Sequence, residues 1–145
     1  MSTILQKEFF RYDGVNSTSL NPVYVHVAKV VTMTMAAGAA VATTALLPKG
    51  SLLSSVRFET PTAITGTPTN INARVGTAST GQQVVADVDV KAQGHITGTI
   101  VTALDVTNIA STADQILYLA LAAVGGTNPA GTIYAVVSYM MPKPQ

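Results

Sequence analysis

The feature that most constrains this chain is its period. From Val23 onward apolar residues recur at every second position, the spacing of a β-strand with one face in a core. The alternation is cleanest at 84–91, where Val84, Ala86, Val88 and Val90 fall on one face and Asp87, Asp89 and Lys91 on the other. The same period puts Val25, Val27, Val31, Met33 and Met35 on one face of a first long strand and Tyr24, His26, Ala28, Thr32 and Thr34 on the other. It also turns Leu52, Val56 and Phe58 inward with Arg57 and Glu59 outward, then Ile71, Ala73 and Val75 inward. A further strand is predicted over Ile96–Leu104, followed by a loop over Val106–Thr112.

Glycine, proline and threonine punctuate these runs. Ala36–Leu47 mixes helix-favouring alanines with Gly38, Val41, Thr43 and Thr44, and is read as a turn followed by a strand. Leu47-Pro48-Lys49-Gly50 suits a tight reversal, with Pro at its second place and Gly at its fourth. Pro61–Pro68 is too broken for a regular element and is expected to cross between sheets or wrap an edge. Gly76–Gly81 reads as a turn. About eight short strands without a convincing helix predict an all-β, single-domain antiparallel β-sandwich, for which jelly-roll wiring is a usual solution. No internal repeat is visible, which removes propellers and solenoids.

Two strands break the rule that an antiparallel sheet wets one face. Ile116–Val124 and Ile133–Met141 are apolar on both faces, and 115–142 contains no charged residue. The segment Gly125–Gly131 divides this stretch, which reads as a closing hairpin whose second face needs a covering layer. Residues 1–22 differ from the rest: Lys7, Glu8, Arg11 and Asp13 surround Phe9, Phe10 and Tyr12. They read either as an N-terminal arm or as a short helix, Thr3–Arg11, docked on a sandwich spanning 23–145.

The charge content sharpens this. Only 10% of the 145 residues are charged and the net charge is +1, against about 25% charged in ordinary soluble domains. On a folded surface of about 7,000 Å² that is one charge per roughly 470 Å². So thin a charge cover favours packing against other molecules, and it offers no general attraction for nucleic acid or an anionic membrane. The expected partners exclude both. Met33–Leu47 is too short and too threonine-rich to span a bilayer as a helix. The first residues lack the apolar run of a secretory signal, so folding in the cytosol is expected.

Chemistry has few candidates. There is no Cys, hence no disulfide, thiol nucleophile or thiolate metal site. Asp87 and Asp89 share a strand face and are better read as solvated carboxylates with Lys91 as counter-charge than as a Ca²⁺ or acid/base pair. His26 and His95 lack metal-ligand spacing. Gly76 and Gly81 echo a phosphate loop, but Gln82 and Gln83 stand where its Lys and Ser/Thr belong. No catalytic residue, metal site or cofactor is expected. The candidate interface residues are Phe9, Phe10, Arg11 and Tyr12 of the first segment and Ile116, Tyr118, Tyr134, Val136 and Met140 of the closing strands.

Several segments together resemble a known family. Leu46–Leu52 (LLPKGSL), Asn72–Ala78 (NARVGTA) leading into Val84–Gly94 (VVADVDVKAQG), Ala113–Leu119 (ADQILYL) and Ala130–Met140 (AGTIYAVVSYM) look like the capsid decoration, or cement, proteins of tailed bacteriophages. The resemblance covers 45–141 and lies in strands and turns; head-fibre and tail-associated jelly rolls share much of it. It implies a single jelly-roll domain and a non-enzymatic structural protein. Such a protein would sit on the capsid exterior as a dimer or trimer, made in the host bacterial cytoplasm and bound to the major capsid protein. A receptor- or glycan-binding module of a phage head or tail fibre is the alternative, with Tyr24, Tyr134 and Tyr139 as the exposed aromatics it would need.

Overall fold

The computed structural model describes residues 24–36, 41–101 and 113–142. Among the described residues eight strands run in chain order: β1 (Tyr24–Met35), β2 (Val41–Leu47), β3 (Leu52–Thr60), β4 (Asn70–Gly76), β5 (Val85–Asp89), β6 (Gly94–Gly98), β7 (Gln115–Val124) and β8 (Gly131–Pro142). They form two four-stranded antiparallel sheets, β1-β8-β3-β6 and β2-β7-β4-β5, packed as a sandwich. The expected all-β class is what is seen. The ladders pair first with last: β1 with β8, β2 with β7, β3 with β6, β4 with β5. The chain is thus doubled into an antiparallel ribbon that turns back at residues 77–84. Winding this ribbon brings β8 beside β3 and β7 beside β4.

The alternating residues explain why the wound ribbon holds. Met33, Met35, Ile133 and Phe58 of the first sheet face Ile71, Leu117, Leu119 and Leu121 of the second, all fully buried. Each such side chain contributes about 1.5–3 kcal/mol of transfer free energy. Thr60 ties the sheets through Oγ1, which donates to the Val90 carbonyl at 2.8 Å.

Five expectations need correction. The last two strands do not form a hairpin, because β7 lies between β2 and β4 in the second sheet and β8 between β1 and β3 in the first. The connecting residues cross the sandwich instead, using left-handed conformations at Gly125, Gly126 and Asn128, and are held by backbone bonds between Thr65 and Ala130 and between Thr67 and Thr127. In β3, Leu53 is buried where Leu52 was expected, since a bulge between Leu53 and Ser55 shifts the strand's phase. In β5, a second irregularity lets both Val84 and Val85 bury completely, while Ala86 faces out. The Pro48 turn is displaced by one residue: Ser51 N–H bonds the Pro48 carbonyl at 3.0 Å, placing Gly50 at the third position with φ 81°, which a residue with a side chain adopts poorly. This turn and Pro61–Pro68 both pass from one sheet to the other. The strand predicted from Ile96 begins earlier, at Gly94, and ends at Gly98. Residues 102–112 lie outside the described part, as does the whole of segment 1–22.

Candidate functional site

The sandwich buries its inner faces against each other, so what its described residues offer to others is two outer sheet faces and the strand edges. Register fixes which side chains share the outer face of the first sheet, because directly opposed residues point the same way. Val30, Val136, Arg57 and Thr97 lie in one row, and Thr32, Tyr134, Glu59 and His95 in the next. Toward the β1 start the next row on this face is Ala28, Ser138 and Ser55, and the one beyond it is His26, Met140 and Leu52. Val30 is 61% exposed, and Val136, Tyr134, Met140 and Leu52 are half-buried. Arg57 and Glu59 are the basic and acidic members of these rows. Their ion pair, 3.9 Å between Arg57 Nη2 and Glu59 Oε2, leaves little net charge beside the apolar side chains.

The outer face of the second sheet divides in two. At one end Leu46 and Ile116 oppose each other, each more than 40% exposed, with Tyr118 half-buried one row on. At the other lies a polar network. Arg74 Nη2 donates to Asp87 Oδ2 at 2.9 Å, and Asn72 Nδ2 donates to the same oxygen at 3.2 Å. The 2.6 Å approach of Arg74 Nε to Asp87 Oδ1 is an ion pair whose N–H is not aimed along a hydrogen-bond line.

The predicted interface residues therefore do not form one patch. Tyr134, Val136 and Met140 share the first sheet's outer face, whereas Ile116 and Tyr118 sit on the opposite side of the molecule. Phe9, Phe10, Arg11 and Tyr12 lie outside the described residues. The sequence reading missed Val30 and Leu52. The signal for Val30 was available, a β-branched apolar residue in phase with Tyr24, His26 and Thr32 on the otherwise polar side of β1. Leu52 was hidden by the bulge.

The residues singled out for chemistry have structural work. Asp87 is paired with Arg74, not with Lys91, whose Nζ donates to the Pro68 carbonyl at 2.7 Å. Asp89 Oδ1 accepts from the backbone N–H groups of Ile71 and Lys91 at 3.0 and 3.1 Å, pinning the end of β5. Among the described residues no three His, Asp or Glu side chains gather as a metal site would require. His95 borders two open depressions. One, of about 200 Å³, includes Phe58, Thr60, Asp89 and Gln93 in its wall; the other, of about 310 Å³, includes Glu59, Pro61, Gln93 and Tyr134. Tyr139, by contrast, is 6% exposed and unavailable to a ligand.

No family model and no curated protein matches the chain. Among solved structures, it is similar to a chain in the capsid of Ralstonia phage GP4, with 18% identity, a TM-score of 0.49 and coverage of 92% of this chain and 93% of that one. It is also similar to a chain in the acidic stable capsid structure of Helicobacter pylori bacteriophage KHP30, with 15% identity, a TM-score of 0.45 and coverage of 83% and 95% respectively.

Proposed function

We propose that this chain is a structural, non-enzymatic virion protein that decorates and cements a bacteriophage capsid by docking on the outer surface of the major capsid protein lattice. The observation that carries the reading is the first sheet's outer face, where Val30, Val136 and Tyr134 in adjacent rows, and Met140 and Leu52 beyond the Ala28–Ser138–Ser55 row, are partly exposed apolar side chains whose neighbours Arg57 and Glu59 offset each other's charge. Such a surface is costly to leave in water and well suited to be covered. The strand order supports reading the fold as a jelly roll, since pairing first with last and winding the ribbon is how that fold is wired. The sequence resemblance over 45–141 supplies the capsid context. Attachment would be multivalent: each copy binds modestly, and the lattice raises the effective concentration of the next contact. Residues 1–22, with Phe9, Phe10, Arg11 and Tyr12, are assigned to this contact as an arm.

Fractionation of intact virions tests the proposal. The chain should co-sediment in a fixed, high ratio to the shell protein, and its absence from particles would overturn the reading. Removing residues 1–22 should abolish attachment while the circular dichroism of the sandwich persists; full occupancy by the shortened chain removes the arm from the mechanism.

A second reading has one observation in its favour. Tyr134 stands beside Glu59, Gln93 and His95 around the open 310 Å³ depression, an aromatic face with polar neighbours of the kind a sugar ring uses. A receptor- or glycan-binding fibre module would be present in only a few copies per particle, and glycan binding would be lost in Tyr134→Ala.

A further inference from the structure

Among the described residues the sandwich has four edge strands, β1, β6, β2 and β5, and they are protected unequally. β2 is seven residues long, while β5 and β6 have five each. β5 is further interrupted by its irregular register, and β6 begins and ends in glycine. β1 is twelve residues long, pairs with β8 without a single register shift, and contains neither proline nor glycine. Its one charged residue is Lys29. Long, regular edges of this sort are templates for another strand, and proteins that stay single blunt them.

We infer that β1 is a self-pairing edge, and that two copies of this chain join through antiparallel β1–β1 contacts about a two-fold axis at Val27. Residues 24–30 are exposed on both strand faces, Val27 alone being half-buried. A two-fold at Val27 sets Tyr24 opposite the partner's Val30, His26 opposite the partner's Ala28, and Val25 opposite the partner's Lys29. This register brings together two apolar side chains that are 41% and 61% exposed in the single chain. It also keeps the two lysines apart, which an axis at Lys29 would not, since like charges directly opposed are unfavourable. A two-fold contact uses the same patch on both copies, and this segment is complementary to itself. The product is a continuous eight-stranded sheet in which both Val136–Tyr134 strips face the same side. Pairing would therefore double the surface proposed above for docking.

The test of β1 pairing uses the purified full-length chain, so a failed virion experiment leaves it standing. The sequence has no cysteine, which makes single-cysteine trapping clean. Val27→Cys should form a disulfide-linked dimer under mild oxidation, because opposed residues of paired strands bring their Cα atoms within disulfide reach. Thr34→Cys, far from the axis, should not. Sedimentation should show a dimer for the unmodified chain, and Val30→Glu should weaken it at least tenfold with the circular dichroism unchanged. A strict monomer, equal trapping at both cysteine positions, or an unaltered dimer in Val30→Glu would each overturn the inference.

Discussion

Val85 of β5 occupies the space that a Cβ on Gly98 of β6 would need, so the outer strands of the two sheets touch along one side of the sandwich through a missing side chain. Phe58 borders the same spot from β3. Val85 is β-branched, with little rotamer freedom for moving aside. Gly98→Ala should therefore destabilise the domain by about 1–3 kcal/mol. The companion Val85→Ala removes the obstacle. In a double-mutant cycle by denaturant unfolding, the pair should be less destabilised than the sum of the single changes by about 1 kcal/mol. Strict additivity would mean that the two edges do not meet.

Gly126 and Gly94 both adopt positive φ, 62° and 135°, but in different surroundings. A Cβ on Gly126 would overlap the backbone of Thr67 and Pro68, whereas one on Gly94 meets nothing within 4 Å. Alanine at Gly94 carries only conformational strain, while alanine at Gly126 must also push apart the crossing that joins β7 to β8. Gly126→Ala should lower stability by at least about 1 kcal/mol more than Gly94→Ala, a difference of a few degrees in Tm.

The period of two was enough to find the strands and most of the core, because the buried residues Val31, Met33 and Met35 of β1, Ile71, Ala73 and Val75 of β4, and Leu117, Leu119 and Leu121 of β7 follow it; in β1 it fails toward the strand start, where Val25 and Lys29 are exposed in the inward phase. It also failed where the backbone adds a residue. Leu53 and Val56 both point inward although three positions separate them, and Val85 buries beside Val84. A bulge leaves no mark in a pattern of apolar letters, since Leu-Leu and Val-Val satisfy either phase. The false hairpin has another cause. Gly125-Gly126 and Pro129 announce a turn, but whether the chain returns beside itself or crosses about 10 Å to the facing sheet depends on neighbours remote in sequence. Here Thr65 and Thr67 hold the crossing. The outer faces were legible as apolar strands and illegible as patches, because patch membership follows strand order, and β7 and β8 lie in opposite sheets.

The β3 bulge gives a direct test of that account. β8 pairs Tyr139 with Leu53 and the next residue, Ser138, with Ser55, which leaves Ser54 as the surplus residue. Ser54 is exposed. Deleting it should restore a regular ladder with Leu53, Val56 and Phe58 still inward, at a cost of about 1 kcal/mol or less for the lost local twist. Removing Arg57 instead would reverse the phase of the strand beyond it and expose Phe58, so that variant should not fold.

The Arg74–Asp87 pair is partly exposed, with side chains 20% and 33% accessible. Its main role is to hold β4 against β5 on the outer face of the second sheet, together with Asn72. Asp87→Asn keeps the shape and a hydrogen-bond acceptor while removing the charge. The expected loss is about 0.5–1 kcal/mol, shrinking at high salt as screening weakens what the wild-type pair contributes. A salt-independent loss would assign the effect to hydrogen-bond geometry alone.

Because the two apolar regions lie on opposite sides of the molecule, paired truncations can tell which one docks. Tyr134→Ala with Met140→Ala strips the first sheet's strip, while Leu46→Ala with Ile116→Ala strips the end of the second. All four side chains are at least partly exposed, so each double variant should keep its fold and most of its stability. Burial in an interface changes the balance, since a well-packed aromatic anchor is worth about 2 kcal/mol or more on truncation. With the first sheet's face as the docking surface, occupancy on purified capsids should fall by at least about tenfold for the Tyr134/Met140 pair. It should change little for the Leu46/Ile116 pair. The reverse pattern would move the contact to the second sheet and leave the strip around Val136 without an assigned partner.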